Sequence, residues 1–233
     1  MNTTEITENY LNNINNIDTC RLAEMRAYAL KHNVPIICPQ TAGLLCAVIR
    51  ILNPKNILEI GTAIGYSGIL MLQNSSAHLT TIDNNERCIK IAKQNFDNDR
   101  VAMHTGDAKN VLENLAKENR AFDFIFLDGP KVKYLQYLPL IMGLLNIGGV
   151  LFADNVLFKG LVAGEDTNSA LLTITRGQGV CHEGAADMID PKKKKTITDG
   201  LREFNRQIAN DKRLKTSILN VGDGVSVSIK ITG

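Results

Sequence analysis

Apolar and polar positions in the first fifty residues alternate with the period of an α-helix. The apolar residues form two runs on helical faces: Leu22, Met25, Ala29 and Leu30, then Leu44, Leu45, Val48, Ile49 and Leu52. Pro35 and Pro39 lie between the runs, so we expect residues 33–40 not to be regular helix. The pattern predicts an N-terminal helical segment, residues 1–53.

After Pro54 the pattern changes to short β-type runs that alternate with helical stretches. The predicted strands are Asn56–Ile60, Leu79–Ile82, Val101–His104, Phe122–Leu127 and Val150–Ala153. The helical patterns between them are Ser67–Leu72, Glu86–Phe96, Ala108–Lys117 and Leu135–Leu144. Strands that alternate with helices are typical of a parallel sheet wound on both faces.

The C-terminal segment has a different pattern. A helix over Ile197–Ala209 is followed by two strands, Lys215–Asn220 and Val225–Ile231, which a Gly222–Gly224 turn connects. Strands joined by so short a turn must be antiparallel, because a parallel pair needs a long crossover. The predicted fold is therefore α/β: a doubly wound, mostly parallel seven-stranded sheet with an antiparallel C-terminal hairpin and N-terminal helices.

The 233 residues are enough for one domain of this kind and too few for two. We predict a core over residues 54–162 and a basic helix with the hairpin over residues 192–233. The segment between them, 163–191, has no clean period. We interpret it, and its central part Gly164–Asp190 in particular, as an insertion or a lid.

Composition excludes several classes of protein. Apolar residues make up 44 % of the chain and charged residues 21 %, which is typical of a globular domain. No apolar run approaches the roughly 20 residues of a membrane helix, and the first twenty residues hold no Lys or Arg, unlike a targeting signal. The five cysteines are scattered without a C-x-x-C pair, which favours reduced thiols. We expect a cytoplasmic protein with no membrane partner.

Positive charge is concentrated near the C-terminus. The net charge is only +2, but the segment Lys192–Lys215 holds nine basic and three acidic residues, so the rest of the chain is net negative. Such a run is either a solvated helix face or a surface for a polyanion.

Candidate chemistry follows from the acids at the predicted strand ends. In a doubly wound sheet, ligands bind at the carboxyl ends of the strands. Each of the five predicted strands ends at an acid: Glu59, Asp83, Asp107, Asp128 and Asp154. A fold that needed only stability would not concentrate charge there.

The glycine loop indicates which cofactor these acids bind. The spacing is Gly61-x-x-x-Gly65 and not the G-x-G-x-x-G of a dinucleotide site, and Glu59 beside it would repel a diphosphate. Asp83 follows Gly61 by 22 positions, a spacing suited to ribose hydroxyls, and Asp107 could accept from an adenine amine. A nucleoside with a cationic group in place of phosphates is S-adenosylmethionine. Ser67, in the same loop, either starts a helix or contacts the cofactor's carboxylate.

A second group of residues provides hard oxygen donors. Asp128, Asp154 and Asn155 follow neighbouring strands and suit Mg²⁺ or another divalent cation, although either acid by itself could only cap a turn. Lys131, three residues after Asp128, should face the same pocket. Because a metal ion and a sulfonium both disfavour the ammonium form, Lys131 is the candidate general base.

These residues also carry a resemblance to a known family. The run Ile57–Ser67, with Asp128-x-x-Lys131 and Ala153–Val156, resembles the cation-dependent class I S-adenosylmethionine O-methyltransferases, which include catechol and caffeoyl-coenzyme A O-methyltransferases. Within that family, the segments His32–Ile37 and Asp154–Val162 are most similar to the bacterial tRNA 5-hydroxyuridine methyltransferases. The tail segments Leu201–Asn205 and Val221–Gly224 carry the same similarity.

The resemblance implies a Rossmann-like fold, a homodimer and a set of site residues. Lys131 would be the base, and Asp128, Asp154 and Asn155 would bind the metal. The implied cofactor contacts are Ile37, Glu59, Gly61, Ser67, Asp83, Asp107, Ala108 and Asp128. The chain departs from many bacterial members at Pro130, which fixes φ and removes a donor beside Lys131.

Three hypotheses about the substrate remain open. The first is methylation of tRNA wobble 5-hydroxyuridine to 5-methoxyuridine, which the basic tail and the closer similarity favour. The second is methylation of a small catechol-like phenol, which the modest net charge and the long 163–191 segment favour. The third is a non-catalytic module that binds the cofactor or a partner.

Overall fold

A computed structural model of the chain describes residues 3–15, 17–96, 99–158, 160–164 and 190–233. Its helices are α1 (Thr3–Ile14), α2 (Cys20–His32), α3 (Pro39–Leu52), α4 (Tyr66–Gln73), α5 (Glu86–Asn95), α6 (Ala108–Lys117), α7 (Tyr134–Leu144) and α8 (Pro191–Asn210). Its strands are β1 (Asn56–Ile60), β2 (His78–Asp83), β3 (Val101–Thr105), β4 (Phe122–Leu127), β5 (Leu145–Asp154), β6 (Leu214–Leu219) and β7 (Val225–Lys230). A single 3-10 turn, Lys131–Lys133, precedes α7.

The seven strands form one sheet in the order β3-β2-β1-β4-β5-β7-β6. The first five are parallel, β7 is antiparallel to β5, and β6 is antiparallel to β7. The predicted fold, a mostly parallel doubly wound sheet with an antiparallel C-terminal hairpin, is therefore confirmed. Strand order reverses between β1 and β4, and such a switch point is where this fold binds ligands.

Three predicted boundaries are wrong by two residues or more, and the others agree with the structure to within one residue. The fifth strand begins at Leu145 and not at Val150, because Leu145 pairs with Phe122 across a register shift that no local pattern records. The last helix begins at Pro191, where the Asp190 side chain caps the Lys192 amide at 3.2 Å. The break after α2 ends one residue before Pro39, which is the first residue of α3.

Helices cover both faces of the sheet, which explains why the strands are almost continuously apolar. On one face Leu112, Ile141 and Phe204, from α6, α7 and α8, pack against the strands. On the other face Leu22, Leu45 and Leu70, from α2, α3 and α4, form the second core. The cores fix the relative positions of the strand ends.

No helix in the described part of the chain is long and apolar enough to cross a membrane. Residues 165–189, which include most of the predicted insertion or lid and Cys181, lie outside the described residues. The lid and the division of the chain at residues 53, 162 and 191 stay predictions.

Candidate active site

A cavity of about 600 Å³ opens at the carboxyl edge of the sheet, beside the switch point. Its lining comes from the ends of β1 to β5 and from the segment before α3, so it draws on parts of the chain more than a hundred residues apart. It brings together nine of the residues singled out from the sequence: Ile37, Gly61, Asp83, Asp107, Ala108, Asp128, Lys131, Asp154 and Asn155.

Gly61 lies where β1 and β4 separate, and no larger residue fits there. Its φ is +109°, and a Cβ would stand 2.3 Å from the backbone oxygen of Asp128. Its amide donates to the Ile82 carbonyl at 2.9 Å, so the loop stays attached to β2. The glycine predicted from the loop spacing thus permits close approach between two backbones at the cavity floor.

Asp83 and Asp107 line the cavity and also anchor backbone. The Asp83 carboxylate accepts from the amides of Ala63 and Asn85, both at 2.8 Å. Asp107 caps α6 through the amides of Lys109 and Asn110, at 2.9 and 3.4 Å. Each carboxylate oxygen can accept more than one hydrogen bond, so anchoring does not prevent a ligand contact. Both acids are therefore held at fixed positions along the cavity wall.

Glu59 and Ser67 are not among the residues that line the cavity, so the cofactor contacts predicted for them stay predictions. Glu59 is fully buried and accepts from Ser67 Oγ at 2.5 Å and from Thr81 Oγ1 at 2.6 Å. Side chains alternate along a strand, and Glu59 lies one residue before Ile60, which does line the cavity. The two residues instead connect β1, β2 and α4 behind the glycine loop.

Burial raises the pKa of Glu59 to about 8, although the hydrogen bonds from Ser67 and Thr81 oppose the shift. A carboxyl whose pKa is higher in the folded than in the unfolded chain binds more protons when folded, so its contribution to stability is lost as the pH rises. For Glu59 this contribution to stability is lost over the pH range from the ordinary glutamate pKa to about 8.

We expect the Glu59→Gln variant to lose less stability than the parent as the pH rises from 5 to 8. The difference in the free energy of unfolding between parent and variant should change by about 3 kcal/mol over that range, from 1.36 kcal/mol per pKa unit. Urea unfolding at several pH values measures it. Glu24→Gln, an exposed glutamate of α2, should leave the parent's pH dependence unchanged. Parallel stability curves for Glu59→Gln and the parent would contradict the expectation.

The second group of predicted residues lies at the ends of β4 and β5. Lys131 Nζ is 3.1 Å from Asp128 Oδ1, so the candidate base is paired with a candidate metal ligand. Asp154 is only 3 % exposed, and its Oδ1 accepts from the Asn155 amide at 2.8 Å. The Tyr134 hydroxyl lies near the Leu127 and Asp154 carbonyls, at 3.1 and 3.0 Å, which connects the two strand ends.

The electrostatics of this group favour a cation. Burial raises the pKa of Asp154 well above its ordinary value, and the nearby Asp128 raises it further. A cation held between the two carboxylates would offset both effects. Within the described residues no three His, Cys, Asp or Glu side chains form a metal-binding group. Asn155 supplies a hard oxygen donor of the required type.

The sequence pattern did not identify two residues that shape the cavity, Asp223 and Arg26. Asp223, in the β6–β7 turn, lines the cavity beside Asn155; its position between two glycines was the available signal. Arg26 of α2 binds the Asp18 carboxylate at 2.5 Å, the Ile37 carbonyl at 3.2 Å and the Tyr66 hydroxyl. It therefore connects the cavity wall at Ile37 to the helix that follows the glycine loop.

Arg202, in the basic segment Lys192–Lys215, binds the backbone that follows β5. Its guanidinium donates to the Val162 carbonyl at 2.9 Å and to the Leu161 and Gly164 carbonyls, and it pairs with Asp199 at 3.1 Å. These contacts attach the segment after β5 to α8. Binding of a polyanion by the segment Lys192–Lys215 stays a prediction.

A doubly wound sheet with acids at the ends of β2 and β3, and oxygen donors at the ends of β4 and β5, defines a nucleoside-type site beside a candidate cation site. The family model described as O-methyltransferase matches residues 12–231. The chain belongs to this O-methyltransferase family. The resemblance, the Rossmann-like class I methyltransferase fold and the prediction of an O-methyltransferase are thereby confirmed.

Individual relatives agree with the family match. The chain is 28 % identical to caffeoyl-CoA O-methyltransferase of Mesembryanthemum crystallinum, covering 91 % of this chain and 80 % of the relative. It is 25 % identical to caffeoyl-CoA O-methyltransferase of Medicago sativa, covering 90 % and 81 %. The structure of an O-methyltransferase from Bacillus cereus in complex with SAH superposes with a TM-score of 0.75, at 25 % identity and with 97 % of each chain covered. Special closeness to tRNA methyltransferases does not follow from these relatives.

Proposed function

We propose that this enzyme transfers the methyl group of S-adenosylmethionine to one of two adjacent oxygens on a small catechol-like phenol, with the help of a divalent cation. The observation that carries the proposal is a single cavity that contains both the predicted nucleoside-binding acids and the predicted oxygen donors. Relatives named for caffeoyl-CoA methylation and a relative bound to SAH support the same reaction.

The strand order separates Asp83 from the oxygen donors along the length of the cavity. Asp83 is the last residue of β2 and Asp154 is the last residue of β5, and β1 and β4 lie between them. Neighbouring strands are about 4.8 Å apart, so these acids stand roughly 14 Å apart along the sheet edge. That span suits a nucleoside at the β2–β3 end and an acceptor oxygen at the β4–β5 end. Gly61, between them, leaves room for the methionine part of the cofactor.

The residues have distinct tasks in this reaction. Asp83 accepts from the ribose hydroxyls, and Asp107 and Ala108 lie where the adenine would stand. Asp128, Asp154 and Asn155 would hold Mg²⁺ or another divalent cation, which supplies Lewis-acid polarisation of the substrate oxygens. Lys131, as the free amine, would accept the hydroxyl proton while the oxygen attacks the methyl carbon, the carbon–sulfur bond breaks and S-adenosylhomocysteine leaves. Fixed placement of donor and acceptor can itself lower a barrier by about 7–11 kcal/mol.

Methylation assays on the purified protein test the proposal. With S-adenosylmethionine and a simple vicinal diphenol, we expect methylated product in the presence of Mg²⁺ and its loss after treatment with a chelator. Resorcinol, whose hydroxyls are not adjacent, should be a poor substrate because it cannot offer two oxygens to one cation. Equal turnover with and without the chelator would contradict the cation's part in the proposal.

A second candidate substrate is tRNA with 5-hydroxyuridine at the wobble position, which offers its hydroxyl beside the 4-carbonyl. The lysines at the start of α8 favour it. Because β6 runs in the same direction as β5, α8 ends at the edge opposite the cavity and therefore begins on the cavity side. Lys192, Lys193 and Lys195 are exposed there. The N-terminal end of a helix carries partial positive charge, which repels lysines in its first turns. A bound anion would offset this repulsion.

If tRNA is the substrate, replacing Lys192, Lys193, Lys194 and Lys195 with glutamine should raise its KM and weaken the salt dependence of binding. Each phosphate that the variant no longer contacts should reduce the slope of log affinity against log salt by about 0.7. Filter binding at several salt concentrations measures the slope. Glutamine at Lys212 and Lys215, at the far end of α8, is the control. If the quadruple variant methylated tRNA with the parent's KM, a role of these lysines in tRNA binding would be excluded.

The homodimer that the resemblance implies stays a prediction, which light scattering of the purified protein would test. A purely non-catalytic role has no support from the family to which the chain belongs.

A further inference from the structure

The turn between β6 and β7, Val221–Gly224, reaches across the sheet to the candidate cation site. The Gly224 carbonyl accepts from the Val156 amide at 2.9 Å, and the Asp223 carbonyl accepts from the Leu157 amide at 3.1 Å. The turn is thus fastened by backbone hydrogen bonds to the two residues that directly follow Asn155.

Two glycines allow this turn to pack closely against neighbouring segments. Gly222 has φ +56°, and a Cβ there would stand 2.7 Å from Thr41 Oγ1 and 2.8 Å from Cys38 Sγ. Gly224 has φ +90°, and a Cβ there would stand 2.7 Å from the Leu157 backbone nitrogen. The turn therefore packs between the start of α3 and the segment after β5. This packing fixes the position of Asp223, which lies between the two glycines.

Asp223 faces the side chain of Asn155. Its Oδ2 accepts from Asn155 Nδ2 at 3.5 Å, at the long end of the hydrogen-bond range. A carboxylate only accepts hydrogen bonds, so the amide must turn its nitrogen toward Asp223 and its oxygen away. Asn155 itself has φ +59°, and its backbone amide is held by Asp154. The backbone of Asn155 is thus restrained, and its side chain directs Nδ2 toward Asp223 and Oδ1 away from it.

We propose that Asp223 is a positioning residue that orients the Asn155 amide, so that its oxygen completes a three-oxygen cation site with Asp128 and Asp154. This inference rests on the proposed function, because it presumes that the site binds a divalent cation. It assigns the turn between the last two strands a part in metal binding. Residues that orient a ligand in this way commonly change metal affinity 10- to 100-fold.

The test is the affinity of the full chain for Mn²⁺, measured by calorimetry in the absence of substrate. Asp223→Asn should weaken Mn²⁺ binding at least about tenfold, since an amide no longer dictates which end of Asn155 faces the metal. Asp223→Ala, which removes the acceptor altogether, should do the same. Affinity for S-adenosylhomocysteine without metal and the melting temperature should match the parent for both variants.

A second background separates orientation from charge. In the Asn155→Asp variant the two side-chain oxygens at this position are equivalent, so no orientation is needed. Adding Asp223→Asn to that variant removes the same charge as it removes from the parent. We expect Asp223→Asn to weaken Mn²⁺ binding at least about tenfold more in the parent than in the Asn155→Asp variant.

Two results would overturn the positioning role: equal weakening of Mn²⁺ binding in the two backgrounds, or no weakening in either. A parent that binds no Mn²⁺ would overturn the proposed cation and this inference with it. The methyl transfer itself would then be judged separately, by the assay with and without the chelator.

Discussion

Asp154→Asn should abolish cation-stimulated methyl transfer, with turnover reduced at least about 100-fold, beyond the range typical of residues that only support a ligand. Asp154 is almost wholly buried beside Asp128, and asparagine keeps its shape while removing its charge. The variant should be no less stable than the parent, because the change removes a buried charge. Methylation assays over a range of Mg²⁺ concentrations, together with thermal unfolding, measure both effects.

Asp83→Asn is the matched comparison, because Asp83 lies at the other end of the same cavity. It should weaken binding of S-adenosylhomocysteine about 10- to 100-fold and leave the response to the cation unchanged. Asp154→Asn should show the opposite pattern, with cofactor affinity within a few-fold of the parent. If Asp154→Asn weakened cofactor binding as much as Asp83→Asn did, the division of the cavity into two ends would be wrong.

Lys131→Gln should lower kcat by about 10²- to 10⁴-fold, the range that general acid–base catalysis contributes. Lys131 Nζ lies 3.1 Å from Asp128 Oδ1 and the side chain lines the cavity, so it can reach the hydroxyl of a bound acceptor. Cofactor affinity should change little, because Asp83 and Asp107 hold the nucleoside. Single-turnover assays at saturating cofactor isolate the effect on methyl transfer.

Lys133→Gln removes the same charge two residues away, from an exposed position in the same turn. Comparing the two variants distinguishes a proton acceptor from a general effect of positive charge near the sulfonium. A similar decrease in kcat for both would contradict the assignment of Lys131 as the base.

The order of residues along the chain is enough to predict the secondary-structure elements and the fold class. Short β-type runs that alternate with helical stretches after Pro54 predict five strands in a parallel sheet, and the short Gly222–Gly224 turn allows only an antiparallel hairpin. Strand ends in such a sheet meet at one edge, so the acids Asp83, Asp107, Asp128 and Asp154 could be placed at one cavity from their positions in the chain alone. These features follow from the local periodicity of the sequence and from the sheet topology that the order of its elements predicts.

The direction of individual side chains and their contacts, in contrast, depend on how the elements pack together. Glu59 carries the right charge beside the glycine loop, but the alternation of β1 buries it against Ser67 and Thr81. Arg202 belongs to a basic run, yet carbonyls after β5 occupy its guanidinium. Asp223 lies 68 residues beyond Asn155, and the pairing of β7 with β5 brings its turn to the site. Such contacts depend on packing between distant segments, for which no pattern along the chain exists.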